Sequence, residues 1–253
     1  MTDTSLPDLT GRVVVVTGAS RGIGYFTALH AASVGASVVA IARTVGGLEE
    51  LDDAIKAGGR GEATLVPLDL KDGPGIDRLG AALNERWGRC DALIANAGVL
   101  GTISPIGHIE AKSWDEVMAV NVTAVWRLAR TLDPLLTRTA DSRALILSSG
   151  AAHSCKPYWG AYAASKAAVE AMARVWAKES ARTPLRVNCV NPGATRTQMR
   201  ARAMPGEDPA TLPEPRDVAR SIVALLDPAI DRTGQIYDVR AGRWLEYAMP
   251  EPA

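Results

Sequence analysis

Cysteine is scarce in this chain, and its placement argues against two kinds of site. Cys90, Cys155 and Cys189 are odd in number, far apart and without metal-binding spacing. That speaks against a disulfide framework or structural zinc and suits reduced thiols in the cytoplasm; no metal site is expected. A surplus of one charge is missing too: 28 Lys and Arg face 28 Asp and Glu, so nothing in the balance implies a nucleic acid as partner. No apolar run approaches the roughly 18 residues of a membrane span. Met1 to Leu9 is polar, carries Pro7 and lacks the apolar centre of a secretory leader. A cytoplasmic protein without membrane contact is therefore expected. Linkers are absent as well, and 253 residues, 47% of them hydrophobic, suit one large α/β domain over residues 1–253.

What is present is organised around Tyr162-Ala-Ala-Ser-Lys166. The run contains Ala161, Ala163, Ala164, Ala167 and Ala168, with no proline or glycine before Pro184. Alanine is the best helix former, so the run reads as helix and the phenol and ammonium become neighbours on one face. A free tyrosine titrates near ~10, and a fixed cation beside it favours the phenolate, as general acid and base chemistry requires. Tyr-x-x-x-Lys also occurs on ordinary solvated helices, so the remaining motifs must decide.

Arg12 to Thr17 holds four consecutive valines, the pattern of a parallel strand buried on both faces. Gly18-Ala-Ser-Arg-Gly22-Ile-Gly24 and a helical stretch ending at Gly35 follow. A strand, glycine-rich turn and helix aim free N–H groups and a positive helix end at one spot, which suits a diphosphate. Ala36 to Ala42 reads as the second strand. Where an NAD-selective protein usually carries a carboxylate, this chain has Ala42 and then Arg43. With Arg21 as a second cation, that favours NADP(H) over NAD(H), because arginine binds phosphate in a bidentate manner. Arg43 is otherwise an ordinary surface charge.

Further strands are expected at 63–68, 91–95, 144–147 and 185–190, with helices at 48–57, from Asp72 to Trp87, and from Ser113, as N-cap of a capping box with Glu116, to Leu136. Alternating strands and helices at this spacing predict an α/β, Rossmann-like, doubly wound parallel sheet of about seven strands in a single domain. Asp69, Asn96-Ala97-Gly98 and Ser148-Ser149-Gly150 fall at carboxyl ends of strands, where such sheets bind ligands. Asn121 sits among Val117, Val120 and Val122, a mediocre helix residue whose place hints at a buried polar task.

The ordered set Thr17-Gly-Ala-Ser-Arg-Gly-Ile-Gly24, Asp69, Asn96-Ala-Gly98, Asn121, Ser149, Tyr162-x-x-x-Lys166 and Pro192-Gly193 resembles the short-chain dehydrogenase/reductase family across most of the chain. Trp159-Gly-Ala-Tyr-Ala-Ala-Ser-Lys166 and Thr195-Arg-Thr-x-Met-Arg200 are similar to a poorly defined bacterial oxidoreductase subgroup. The resemblance implies hydride transfer between NADP(H) and a ketone, aldehyde or secondary alcohol, with Asn121, Ser149, Tyr162 and Lys166 as the catalytic set. Tyr162 would exchange a proton with the substrate oxygen and Ser149 would hydrogen-bond it. Lys166 would hold the ribose and lower the phenol's pKa, while Asn121 would position a water leading to Lys166. Ser149 rather than Ser148 matches by its distance to Tyr162. Gly18, Ser20, Arg21, Gly22, Ile23 and Gly24 would meet the phosphates and adenosine ribose, Asp69 and Leu70 the adenine, and Asn96, Ala97 and Gly98 the ribose and ring. Pro192, Gly193, Thr195 and Thr197 would meet the nicotinamide. The same resemblance divides the chain into a cofactor half near 10–110, a catalytic half near 111–240 and a substrate lid near 196–212, and implies a homodimer or homotetramer using the helices from Ser113 and from Gly160.

The chain departs from the family pattern at Ala95, often a second asparagine, and at the proline-rich end of the lid, Thr211-Leu-Pro-Glu-Pro. His153 and Trp159 are candidate substrate contacts or simple loop packing. Trp244, Tyr247 and Met249 either cover a neighbouring subunit's site or pack on their own core. An NAD-linked alcohol dehydrogenase and a dinucleotide sensor without turnover are the alternative readings. The substrate itself is not legible.

Overall fold

Four valines in a row have no polar face to offer water, so the strand that carries them must be central. Side chains alternate across a strand. Val13 and Val15 accordingly enter one apolar cluster and Val14 and Val16 another. The computed structural model describes residues 6–247, and in it this strand is β1, Val13–Thr17, buried along its whole length.

The other elements follow in chain order. They are α1 (Gly22–Ser33), β2 (Ser37–Ala42), α2 (Val45–Gly58), β3 (Glu62–Pro67), α3 (Gly73–Trp87), β4 (Ala92–Ala95), α4 (Ala111–Met118), α5 (Ala124–Leu136), β5 (Ser142–Leu147), the short α6 (Ala151–Ser154), α7 (Gly160–Glu179), β6 (Leu185–Asn191), α8 (Gln198–Ala203), α9 (Pro215–Ala224), β7 (Ile236–Asp238) and β8 (Arg243–Leu245). The strands form one sheet in the order β3-β2-β1-β4-β5-β6-β7-β8. All neighbours are parallel except β7 and β8.

The sheet thus has eight strands where about seven are expected. The extra one comes from an antiparallel hairpin at the edge, in which Ile236 faces Leu245. Its three-residue strands are too short and polar to stand out in a sequence pattern. Trp244 packs edge-on against Tyr237 there, and Tyr247 packs against the core of its own chain. Met249 lies outside the described residues.

Two layers of helices cover the sheet. Ala28, Leu48, Leu51 and Val218 from α1, α2 and α9 fill one face, and Ile76, Leu128, Leu132 and Val169 from α3, α5 and α7 fill the other. Truncating a fully buried leucine such as Leu128 would cost about 2–5 kcal/mol. Strand order reverses between β1 and β4, which start their crossovers in opposite directions and leave a crevice beyond their carboxyl ends.

One helix start differs from the expectation. α4 begins at Ala111 after an extended Glu110, so Ser113 lies inside it rather than capping it. The Ser113 hydroxyl instead accepts the Thr102 N–H at 3.1 Å, a loop contact that the capping-box pattern cannot reveal. Between α4 and α5 the chain makes a π-helical turn, Ala119–Thr123, with Asn121 at its centre. The asparagine that looks out of place in a helix sits where the helix is interrupted. Such turns recur at functional sites.

Candidate active site

The crevice between β1 and β4 is built by glycines whose absent side chains are its walls. Gly18 has φ +68°, and a Cβ there would approach Asn96 Nδ2 to 2.8 Å. A Cβ on Gly24 would overlap the Gly18 carbonyl oxygen and the same amide nitrogen. Gly22 has φ +59° but only Thr197 Cγ2 within reach, at 3.6 Å, so it is required for backbone conformation rather than for space. Asn96 fastens the two strand ends by donating to Thr17 O at 2.8 Å, and the Ala97 N–H donates to Thr17 Oγ1 at 3.0 Å. The result is a turn open to the N-terminus of α1, with Ser20, Arg21 and Ile23 on its rim, where N–H groups can receive a diphosphate.

Arg43 is exposed just past β2 and makes no ion pair among the described residues. Arg21 Nη1 donates to Gln198 Oε1 at 3.3 Å, bringing α8 beside the glycine turn. Asp69 accepts the Lys71 N–H at 3.0 Å beyond β3, and Leu70 is buried in the core beneath it.

The proton-handling groups lie on α7 and the end of β5. Tyr162 and Lys166 occupy one face of α7, and Lys166 Nζ stands 5.7 Å from the Tyr162 ring centroid. That ammonium donates to Leu147 O at 2.7 Å. Ser149 accepts the Ala151 N–H at 3.2 Å and is the side chain that acts on the Tyr162 phenol, whereas Ser148 turns away to donate to Glu170. The two serines, indistinguishable by type, are therefore separated by their partners, and Ser149 is the one that faces the tyrosine.

Electrostatics differ from the expectation in one respect. Burial raises the Tyr162 phenol above its ordinary value, and the bond from Ser149 only partly offsets this. Lys166 is not among the groups that shift the phenol, and its ammonium donates to the Leu147 carbonyl. Burial pushes Lys166 down to about 8, with the carboxylate of Glu170 opposing the drop.

Asn121 is occupied on both sides. Its Oδ1 accepts the Val99 N–H at 2.8 Å, and its Nδ2 donates to Val99 O at 2.9 Å and Ser165 Oγ at 3.0 Å. A Cβ on Gly98 would lie 3.4 Å from Asn121 Oδ1 and 3.6 Å from Lys166 Nζ. Gly98, Asn121 and Lys166 therefore converge on one spot. Ala95, where the family pattern often has asparagine, is buried at the end of β4.

The remaining candidates divide. Trp159 stacks edge-on against Tyr162, ring centroids 5.9 Å apart. His153 does not join it: its Nε2 is 2.9 Å from Glu170 Oε2. Asn191, not singled out by sequence, accepts from Gly193 N at 3.2 Å and Gly150 N at 3.1 Å, tying the Pro192-Gly193 turn to the serine turn. Thr195 is buried, and Thr197 caps α8 by accepting the Arg200 N–H at 3.2 Å. An apolar cavity of about 530 Å³ opens beside this site, between Ile106, Tyr158 and the Ala163, Ala164 and Ala167 side of α7. Neither Ser149 nor Tyr162 lines it.

Comparison with known proteins places this geometry. The short chain dehydrogenase family model matches residues 12–208. The chain belongs to the short-chain dehydrogenase family. Among its relatives is the uncharacterized oxidoreductase YciK of Escherichia coli K12, 36% identical over 238 residues that span 93% of this chain and 94% of that protein. A short chain dehydrogenase from Pseudomonas syringae superposes with a TM-score of 0.90 at 38% identity, covering 94% of this chain and 99% of that one. Another, from Shigella flexneri 2a, was solved in complex with NADP and has a TM-score of 0.87 at 36% identity, covering 93% and 100%. This short-chain dehydrogenase is thus an oxidoreductase of a poorly characterised bacterial subgroup. Among the described residues no helix is long and apolar enough to cross a membrane.

Besides Asn191, three polar residues of the site escape a sequence reading: Thr17, Ser165 and Glu170. Thr17 ends an apolar strand, and Ser165 hides inside the Tyr-x-x-x-Lys motif. Glu170 looks like one more charge on a solvated helix. Its one signal is spacing, four residues beyond Lys166 and eight beyond Tyr162, on the face that the tyrosine buries.

Proposed function

We propose that this chain is an NADP(H)-dependent reductase of a ketone or aldehyde, or the dehydrogenase of the matching secondary alcohol. The observation that carries the reading is the Tyr162 ring 5.7 Å from the Lys166 ammonium on one face of α7, with Ser149 acting on its phenol. The glycine cradle fits a dinucleotide, since side chains at Gly18 or Gly24 would fill it. Gly18, Ser20, Arg21, Gly22, Ile23 and Gly24 would hold its phosphates, Arg21 and Arg43 a 2′-phosphate, Asp69 and Leu70 its adenine, and Asn96, Ala97 and Gly98 its ribose. Pro192, Gly193, Thr195 and Thr197 would line the nicotinamide end. When bound, the nicotinamide supplies or takes up hydride.

The protein's own part is to place an oxygen and move a proton. A phenol whose pKa is raised by burial keeps its proton at neutral pH and serves as the acid that protonates a carbonyl oxygen. Ser149 gives the same oxygen a second donor where negative charge develops, the arrangement that most lowers such barriers. Lys166 remains largely charged below its pKa of about 8 and would hold the ribose hydroxyls through its ammonium. Asn121 holds the Val99 segment and α7 in register, and any water on the path to Lys166 would sit beside it. Trp159 would form the pocket wall and the 196–212 segment its lid, with His153 near the entrance. The small-molecule partner is a carbonyl or alcohol. A second copy of the chain would cover the partly exposed Trp114, Trp126 and Val175 on α4, α5 and α7, giving a homodimer or homotetramer.

Calorimetric titration with NADPH and NADH side by side tests the cofactor choice. Charge-assisted contacts to a 2′-phosphate are worth roughly 2–4 kcal/mol, on the order of 30-fold or more in affinity. Equal binding, or tighter NADH, would move the reading to NAD-linked alcohol oxidation. Tyr162→Phe tests the chemistry: steady-state reduction of an accepted carbonyl should fall by about 10²–10⁴ with NADPH binding retained, and an unchanged rate would count against the mechanism.

A further inference from the structure

Glu170 is a carboxylate with nowhere to meet water. It is 3% exposed on the inner face of α7, and each of its oxygens has one partner. Oε1 accepts the Ser148 hydroxyl, and Oε2 faces His153 Nε2 at 2.9 Å. Ser148 and His153 flank Ser149 in the chain. Lys166, one turn earlier on the same helix, donates to Leu147 O. The segment 147–153 is therefore held to α7 at three points by two residues of opposite charge, and Ser149 lies within it.

We infer that Glu170 is a positioning residue, whose buried carboxylate fastens the Ser149 turn to the helix bearing Tyr162 and Lys166 and balances the charge of the Lys166 ammonium. The inference rests on the proposed assignment of those three residues to the reacting site. Its physical basis is that a buried carboxylate costs several kcal/mol unless it is paired and hydrogen-bonded; its persistence here requires the partners that it fixes. The ionisable groups around it are His153 from α6, Lys166 and Arg174 from α7, Cys189 from β6 and Tyr247 beyond β8. Burial pushes the Cys189 thiol up to about 12 and keeps the Tyr247 phenol protonated, so both stay neutral near pH 7. Arg174 is stacked on the Tyr247 ring, 4.3 Å from its centroid. Lys166 is the cation that shares a helix face with the carboxylate one turn away, and Glu170 is among the charges that hold its proton on.

The test uses the whole protein without cofactor. Lys166 is followed by NMR of ¹³C-labelled lysine side chains, assigned by its absence in Lys166→Met, while amide exchange is read across residues 148–153. Glu170→Gln keeps the shape and removes the charge, and should lower the Lys166 titration midpoint by about one pH unit or more. Glu170→Asp keeps the charge and shortens the reach. It should leave the midpoint within a few tenths of a unit while amides of 148–153 exchange roughly ten-fold faster or more, as local opening becomes easier. An unchanged midpoint in the Gln variant, or unchanged exchange in the Asp variant, overturns the proposal. If the Gln variant does not fold, the exchange result from the Asp variant decides. Neither readout needs NADPH. A protein that shows both effects but binds no NADPH loses the proposed function and keeps this inference, and one that binds NADPH but shows neither effect does the reverse.

Discussion

The Asn121 amide nitrogen lies 3.0 Å from the Ser165 hydroxyl, which in turn donates to the Tyr162 carbonyl at 2.8 Å. Through that contact the π-turn, the Val99 segment and the helix of the reactive tyrosine form one hydrogen-bonded unit. Asn121→Leu would leave the part-buried Val99 N–H and C=O without their partner and deprive the buried Ser165 hydroxyl of the donor that it accepts from. Each such group costs about 1–3 kcal/mol, and shared networks cost more than isolated pairs. The variant should unfold at visibly lower urea concentration, by about 3 kcal/mol. Asn121→Asp, which keeps the acceptor for Val99 N–H, should lose less.

The glycine turn permits a sharper comparison, because its glycines are needed for different reasons. Gly24→Ala drives a methyl into the Gly18 carbonyl oxygen and Asn96, both parts of the fixed strand ends. It should abolish dinucleotide binding in calorimetry. Gly22→Ala meets only ordinary contact distances but must hold φ near +59°, at a cost of about 1 kcal/mol. It should fold and retain binding within about ten-fold, and Gly22→Asn, which tolerates that conformation better, should exceed it.

Much of this arrangement is legible in the order of the residues. The four valines of β1 announce a central strand, and the alanines around Tyr162 announce a helix, because burial on both faces and intrinsic propensity are local properties. What is not legible is long-range. The true start of α4 depends on a loop hydroxyl bond between Ser113 and Thr102, and β8 exists only because β7 is there to pair with it. Glu170 stays hidden for a related reason. Nothing in the residues near it says that Ser148 and His153, from another element, will close over its carboxylate.

Arg43 and Arg21 make separable contributions to the cofactor reading. Arg43 has no ion pair to lose among the described residues, so Arg43→Ala should leave stability within about 0.5 kcal/mol. Its NADPH affinity should fall about ten-fold while NADH affinity stays level. Arg21→Ala also frees Gln198, to which Arg21 donates at 3.3 Å, so it should loosen α8 as well. Faster amide exchange in residues 198–203 of that variant, and not in Arg43→Ala, would check the difference.

Lys166 should weaken the fold that it serves. Burial lowers it from 10.5 to about 8, a difference worth about 3 kcal/mol. In the unfolded chain the lysine keeps its proton up to the ordinary value. Between about pH 8 and 10.5 the unfolded state therefore holds the extra proton, and stability rises with pH. Below that window the fold bears the full penalty of a buried ammonium. Lys166→Met removes the charge and also the bond to Leu147 O, worth about 1 kcal/mol. Urea denaturation at pH 7 should find the variant about 2 kcal/mol more stable than the wild type. The gain should shrink and then disappear as the pH approaches 10, where the wild-type lysine has shed its proton. A variant less stable than the wild type at pH 7 would mean that Leu147 and Glu170 hold the ammonium more strongly than burial disfavours it.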